Sequence, residues 1–224
     1  MSDFVLPQAS LFLGIIPALI LLYISLKGYE GYYKDKTVFL TFVAGIIAGF
    51  ISVIIETYAS NIGILFIVLF PIIEQLFKTI ILNIRRFQKK RETTVYGLSL
   101  GLGFGSIFTP FSMITSNIQT TNSYLIVIVI IGSIGIILLH GATGVCIGYG
   151  VYSGKLLKYF LLAIILHVPL TGLIFLTSLL NIKNLQIGLI IYGLITYWFI
   201  TKNIMPKILS QQKSRKRGNV KTNS

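Results

Sequence analysis

The sequence is poor in the residues on which soluble domains and most enzymes rely. Only 11% of its residues are charged, six residues are acidic, two are histidine and one, Cys146, is cysteine. A single cysteine excludes an internal disulfide and a metal site built from several cysteines. Apolar residues dominate instead: 54% of the 224 residues are hydrophobic, and the mean hydropathy is +0.85. This composition predicts an all-α, polytopic membrane protein.

Long apolar runs mark the expected membrane spans. Seven stretches approach or exceed the roughly 20 residues that a helix needs to cross a bilayer. These stretches are 10–25, 38–58, 62–84, 94–115, 124–152, 159–180 and 185–201. We expect one transmembrane helical domain over residues 1–204 and a basic, disordered cytoplasmic tail over residues 205–224.

Basic residues fall on alternate loops between these spans. The loops concerned, with the chain after the last span, carry Lys27, Lys34, Lys36, Arg85, Arg86, Lys89, Lys90, Arg91, Lys155, Lys158 and the basic tail. We call this end of the bundle the basic side. Since Lys and Arg accumulate on cytoplasmic loops, the N-terminus is predicted outside the cell and the C-terminus in the cytoplasm. The membrane is predicted to be the plasma membrane. The basic residues of the tail are predicted to contact anionic lipid rather than nucleic acid.

Few ionisable residues lie inside the spans. They are Glu56, Glu74, Lys78, His140 and His167. A charge near the bilayer centre costs roughly 2.5–3.5 kcal/mol, so such residues indicate a functional site. At about 1.5 Å per helical residue, Glu74 and the two histidines fall at nearly one depth, whereas Glu56 falls near the outer interface. Each histidine alone is most simply a buried ring bonded to a backbone carbonyl, but their shared depth with Glu74 favours a common polar pocket.

The segment Phe70–Ile81, FPIIEQLFKTII, carries the densest polar cluster. Glu74 and Lys78 are four residues apart, so on a helix they share one face and can partly neutralise each other. Pro71 removes a backbone hydrogen bond just before Glu74 and tends to bend the helix. We therefore expect the protein to be organised around this segment.

Two spans carry glycine at the spacing that brings helices close together. The glycines concerned are Gly97, Gly101 and Gly105 in the fourth span and Gly141, Gly144 and Gly148 in the fifth. Small residues four apart let helix backbones approach each other. Close packing is the simplest interpretation of both patterns, and it would flank the polar pocket.

Four segments, taken in order, resemble a known family. They are FPIIEQLFK at 70–78, YGLSLGLGFGSIF at 96–108, LLHGATGVCIGYG at 138–150 and LLAIILHVPLTG at 161–172. Together they resemble the PrsW-type membrane proteases, within the larger group of CAAX-prenyl and bacteriocin-processing intramembrane proteases. The resemblance implies a protease core at 62–180.

The resemblance also implies a chemistry, which is hydrolysis of a peptide bond in a membrane-anchored protein near the cytoplasmic side. Glu74 would be the general base that activates water. His140 is the favoured residue to orient that water, and His167 to donate to the developing oxyanion. Supporting roles fall to Lys78, Gln75 and Phe104. No cofactor is expected, although Glu74, His140 and His167 could together hold zinc with one position open for water.

The sequence departs from the family at two acidic positions, where it has Gln75 and Phe108. These replacements favour, as an alternative, a catalytically inactive relative that acts as a scaffold for membrane proteins. A third class is a proton- or ion-coupled carrier, since intramembrane Glu, Lys and His also suit transport. The sequence shows no inverted repeat of the kind many carriers have.

Overall fold

The computed structural model describes residues 5–115, 123–180 and 182–209, and within these residues it is a bundle of α-helices without a strand. The helices are α1 (Val5–Leu26), α2 (Asp35–Ala59), α3 (Phe66–Leu82), α4 (Thr93–Gly105), α5 (Phe108–Thr115), α6 (Ser123–Ser153), α7 (Leu156–Leu180) and α8 (Gln186–Ile204). Within the described residues, six helical stretches are long and apolar enough to cross a membrane. The predicted all-α membrane bundle is confirmed. The remaining long helix, α1, is also apolar, and its membrane crossing stays a prediction.

Large apolar side chains cover the outside of the bundle. Leu157, Ile165 and Trp198, for example, expose 71%, 66% and 60% of their surface. In water, contiguous apolar surface of this kind marks an interaction or aggregation site. Around a bundle of membrane length it is the surface that faces lipid, because helices satisfy their backbone hydrogen bonds internally and tolerate an apolar surround.

Helix α4 is the centre of the bundle, and every one of its residues is buried. It packs between α2 and α6. A Cβ atom placed on Gly97 would lie 2.2 Å from the carbonyl oxygen of Gly144, and one on Gly144 would lie 2.1 Å from that of Gly97. The glycine spacing therefore acts as the sequence predicted, since only hydrogen at these positions permits the backbone contact.

The span predicted at 94–115 consists of two helices, α4 and α5, with a turn at Ser106 and Ile107. Pro110 follows four residues after Ser106 and has no N–H with which to bond that carbonyl. Its ring is accommodated in the first turn of α5, where helices tolerate proline. The ring of Phe108 still contacts that of Phe104 on α4, with the two centroids 5.7 Å apart.

The packed domain continues beyond the predicted boundary at residue 204. Met205 and Ile208 are buried in the hydrophobic core. The packed domain therefore includes residues beyond 204. The predicted tail from residue 210 onward lies outside the described residues.

The α4–α6 contact yields a test of stability. Gly144→Ala would force a Cβ against the Gly97 carbonyl, and we expect it to lower the free energy of unfolding by at least about 1–3 kcal/mol, the usual range for overpacking. The matched control is Gly172→Ala in α7, because the nearest atom to a Cβ there is 3.8 Å away. Thermal unfolding of both variants in detergent is the measurement. Equal melting temperatures would contradict this account of the packing.

Candidate functional site

Three helices bring Glu74, His140 and His167 together. Glu74 lies on α3, His140 on α6 and His167 on α7, and none of the three is more than 2% exposed. One nitrogen or oxygen from each lies within 4.8 Å of the others. The Nε2 atom of His167 is 3.0 Å from Oε2 of Glu74, and the two imidazole rings meet edge to face with their centroids 4.9 Å apart. The residues predicted to share one depth thus form a single cluster.

The ammonium group of Lys78 lies beside this cluster and is fully buried. It is 3.3 Å from Oε1 of Gln75, 3.0 Å from Nδ1 of His140 and 2.8 Å from Oγ1 of Thr143. A lysine has three N–H donors, so this set uses all of them. The ring of Phe104 adds a cation–π contact, with its centroid 4.8 Å from Nζ.

Lys78 does not form the expected ion pair with Glu74. Among the described side chains, His167 is the titratable group that lies within 4.0 Å of the Glu74 carboxylate. The long side chain of Lys78 contacts His140 and Thr143 on α6, whereas the carboxylate of Glu74 contacts His167 on α7. The two groups are adjacent on one helix, but each bonds to a different neighbouring helix.

The donor pattern favours one protonated nitrogen on each histidine. Because the ammonium of Lys78 can only donate, Nδ1 of His140 accepts and the proton lies on Nε2. Gln75 accepts from Lys78 through Oε1, so its amide nitrogen faces Nδ1 of His167 at 2.8 Å and donates to it. His167 therefore also carries its proton on Nε2, which points to Glu74. This pattern favours neutral imidazoles that donate at Nε2.

This pattern does not suit a zinc ion held by Glu74, His140 and His167. A histidine that binds metal through Nε2 normally donates its Nδ1–H to an acceptor. Here the Nδ1 atom of each ring faces a donor instead, and for His140 that donor is the positively charged Lys78. The three ligand atoms are close enough for a metal, but their hydrogen-bond partners oppose it.

Two phenylalanines enclose the ring of His140. Phe104 and Phe108 both stack on it, with centroid distances of 5.0 Å and 5.1 Å. Phe108 departs from the family pattern, and its contact with His140 was not predicted. Thr143 was not predicted either, although it lies three residues after His140 and so on the same helical face. That spacing was the available signal.

A cavity of about 610 Å³ lies at the end of the bundle opposite the basic side. Its walls come from the C-terminal turns of α2 and α7, the N-terminal parts of α3, α6 and α8, and helix α5. Lining residues include Glu56, Phe66, Phe108, Ser133, Phe175 and Gln186. Helix direction places these ends away from the basic loops. The expected cleavage near the cytoplasmic side stays a prediction.

Aromatic rings separate the cavity from the cluster. Glu74, His140 and His167 do not line the cavity. Phe108 does, and its other side stacks on His140. Phe66 also lines the cavity and stacks on Phe70, which precedes Glu74 by one helical turn. Phe108 is therefore shared by the cavity wall and the surroundings of His140.

Comparison of the chain with protein-family models, with curated proteins and with solved structures gives no match. The structure by itself defines the class, which is a helical membrane protein with a buried cluster of one carboxylate, two imidazoles and an ammonium group. The resemblance to PrsW-type proteases stays a prediction from four segments.

The proton positions can be measured by nitrogen NMR of histidine-labelled protein in detergent. We expect both rings to show a protonated Nε2 and a bare Nδ1. Gln75→Leu should change the spectrum of His167 more than that of His140, whereas Lys78→Met should change that of His140 most. Lys158→Met, at an exposed position in the first turn of α7, is the control and should change neither ring. A proton on Nδ1 in the unaltered protein would refute the donor pattern.

Zinc binding tests the same pattern independently. Because donors face both Nδ1 atoms, we expect less than about 0.1 zinc per chain in protein purified without a metal-affinity column. Metal content by mass spectrometry, before and after incubation with zinc and desalting, is the measurement. One zinc per chain that is lost in His140→Ala would restore the metal alternative.

Proposed function

We propose that this chain is an intramembrane peptidase that hydrolyses a peptide bond of a membrane-anchored protein. The observation that carries the proposal is the convergence of a carboxylate and two neutral imidazoles from three helices, beside a cavity large enough for a short peptide segment. A base and hydrogen-bond donors within reach of one another are the elements that water-mediated acyl hydrolysis requires.

In the proposed reaction, Glu74 takes a proton from water as the water oxygen attacks the scissile carbonyl carbon. The carbonyl oxygen becomes an oxyanion. Glu74 then passes the proton to the amide nitrogen as the C–N bond breaks, which leaves a carboxylic acid and an amine. A positioned general base of this kind contributes about 10²–10⁴ in rate.

The hydrogen bonds favour distinct roles for the two histidines. His167 donates to the Glu74 carboxylate and so orients the base. The Nε2–H of His140 has no hydrogen-bond partner among the described residues, which makes it the better candidate to donate to the oxyanion. This reverses the assignment favoured from the sequence. Lys78 is a positioning residue, because it acts on His140 directly and on His167 through Gln75.

Catalysis requires water and substrate at a cluster that is buried in this conformation. The cavity supplies the access route, since Phe108 is shared by the cavity and the histidine cluster. Phe108 is half-buried, so its ring has room on the cavity side. Rotation of this one side chain would admit both reactants.

The proposal includes an orientation and surroundings. The basic side faces the cytoplasm of a plasma membrane, and the basic tail contacts anionic lipid. Since the cavity opens at the opposite end, substrate enters from the outer half of the bilayer. The substrate is a membrane-anchored protein, and nucleic acid is not a partner.

A second candidate function is a membrane-protein scaffold without catalytic activity. The closed stack of Phe108 on His140 favours it, as does the neutral, fully buried Gln75 at a position where the family has an acid. In that case the polar cluster would stabilise the bundle, and only the exposed helices would contact the partner.

Replacement of the proposed base tests the peptidase. Glu74→Gln preserves shape and can still accept a hydrogen bond from His167, so we expect a folded protein whose cleavage rate falls by about 10²–10⁴. Cells that express the unaltered chain, Glu74→Gln or the exposed control Glu30→Gln would be compared by quantitative mass spectrometry of new peptide termini in the membrane fraction. Termini that are equally abundant in the Glu74→Gln cells would refute the role of Glu74.

The same cells distinguish the scaffold. Chemical crosslinking followed by purification identifies partners of the chain in each case. A peptidase predicts that substrates accumulate on the Glu74→Gln variant. A scaffold predicts the same partners, in the same amounts, with and without this substitution.

A further inference from the structure

The cavity has a carboxylate on an otherwise largely apolar wall. Glu56, on the last turns of α2, lines it and is half-buried. The sequence predicted this residue to be interfacial and gave it no role. Among the described side chains, none forms an ion pair or a hydrogen bond with the Glu56 carboxylate. A carboxylate that is partly removed from water is stabilised when a cation pairs with it.

A second polar group in the cavity also has no partner. Ser133, on α6, is 1% exposed and lines the cavity, and its Oγ has no hydrogen-bond partner among the described residues. A serine within a helix commonly bonds the carbonyl three or four residues earlier. Since Ser133 does not, its hydroxyl is available to a molecule in the cavity. Two independent groups therefore indicate a polar ligand atom here.

The rest of the wall indicates an apolar ligand body. Val53, Phe66, Ile136 and Leu189 are among its apolar members. The cavity extends to Phe108, whose ring contacts His140. A ligand that fills this space reaches the ring that separates the cavity from the proposed catalytic cluster.

We infer that the cavity is the substrate-binding site of the proposed peptidase and that it accepts a peptide segment with one basic side chain among apolar ones. The basic group pairs with Glu56 and hydrogen-bonds to Ser133, while the apolar side chains pack on the wall and displace Phe108. This inference rests on the proposed function. It assigns the substrate class by charge complementarity to the carboxylate in the cavity.

Paired peptides test the inference by binding rather than by activity. The probes are dansyl-Leu-Phe-Lys-Leu-amide and the same peptide with norleucine in place of lysine, measured by fluorescence anisotropy with full-length protein in detergent. The Glu74→Gln background prevents cleavage and leaves the cavity wall unchanged, because Glu74 does not line it. We expect the lysine peptide to bind at least tenfold more tightly. Equal affinity for the two peptides would overturn the inference.

Substitutions in the cavity wall test whether the lysine peptide binds there. Glu56→Gln should abolish the preference for lysine, and Glu56→Lys should reverse it in favour of a peptide with glutamate at that position. Glu30→Gln, on an exposed loop, should keep the preference. Ser133→Leu should weaken the binding of both peptides because the larger side chain fills the cavity. Ser153→Leu, at the other end of α6, should leave their binding unchanged. A lysine preference that survives Glu56→Gln would place the site elsewhere.

Two further outcomes separate this inference from the proposed function. Glu56-dependent binding of the lysine peptide, without cleavage by the unaltered protein, would support the site and refute the peptidase. Dodecylamine that binds as tightly as the lysine peptide and with the same dependence on Glu56 would identify a lipid-like amine as the occupant, and so would overturn the peptide assignment.

Discussion

The arrangement of the site depends on the need to satisfy one buried ammonium group. Lys78 is fully buried, and it uses its three donors on Gln75, His140 and Thr143. Removal of an ammonium group from water is costly unless such partners replace the lost hydration. Because these partners must be acceptors, the ammonium fixes the orientation of the Gln75 amide and the protonated nitrogen of His140. The amide in turn fixes His167.

Close helix packing makes this arrangement rigid. A Cβ on Gly101 would lie 2.1 Å from the carbonyl oxygen of His140, and one on Gly105 would lie 3.0 Å from the Cβ of His140. The glycines of α4 thus set the position of the His140 backbone, and Phe104 on the same helix stacks on its ring. Packing and polar network therefore share the same residues, so a change in one is expected to alter the other.

The cluster and the cavity are two compartments with a common wall. The cluster has a carboxylate and hydrogen-bond donors and does not line the cavity, whereas the cavity has space and a carboxylate that has no ion-pair partner among the described side chains. Phe108 belongs to both. A peptidase would use this ring as a closure that substrate displaces and that excludes water at other times. In a scaffold the ring would stay stacked on His140 at all times. Whether the Phe108 ring moves therefore distinguishes the two functions.

The sequence by itself determined the helices, their membrane character and the common depth of Glu74, His140 and His167. These features follow from composition and from a fixed rise per residue, which are local properties. Only the tertiary structure decided that Lys78 bonds across to α6 instead of to Glu74, that Phe108 closes the cluster and that the cavity lies opposite the basic side. Rise per residue gives the depth of a side chain, but its partners depend on how each helix is rotated and placed against its neighbours. Those quantities are set by packing across the whole bundle.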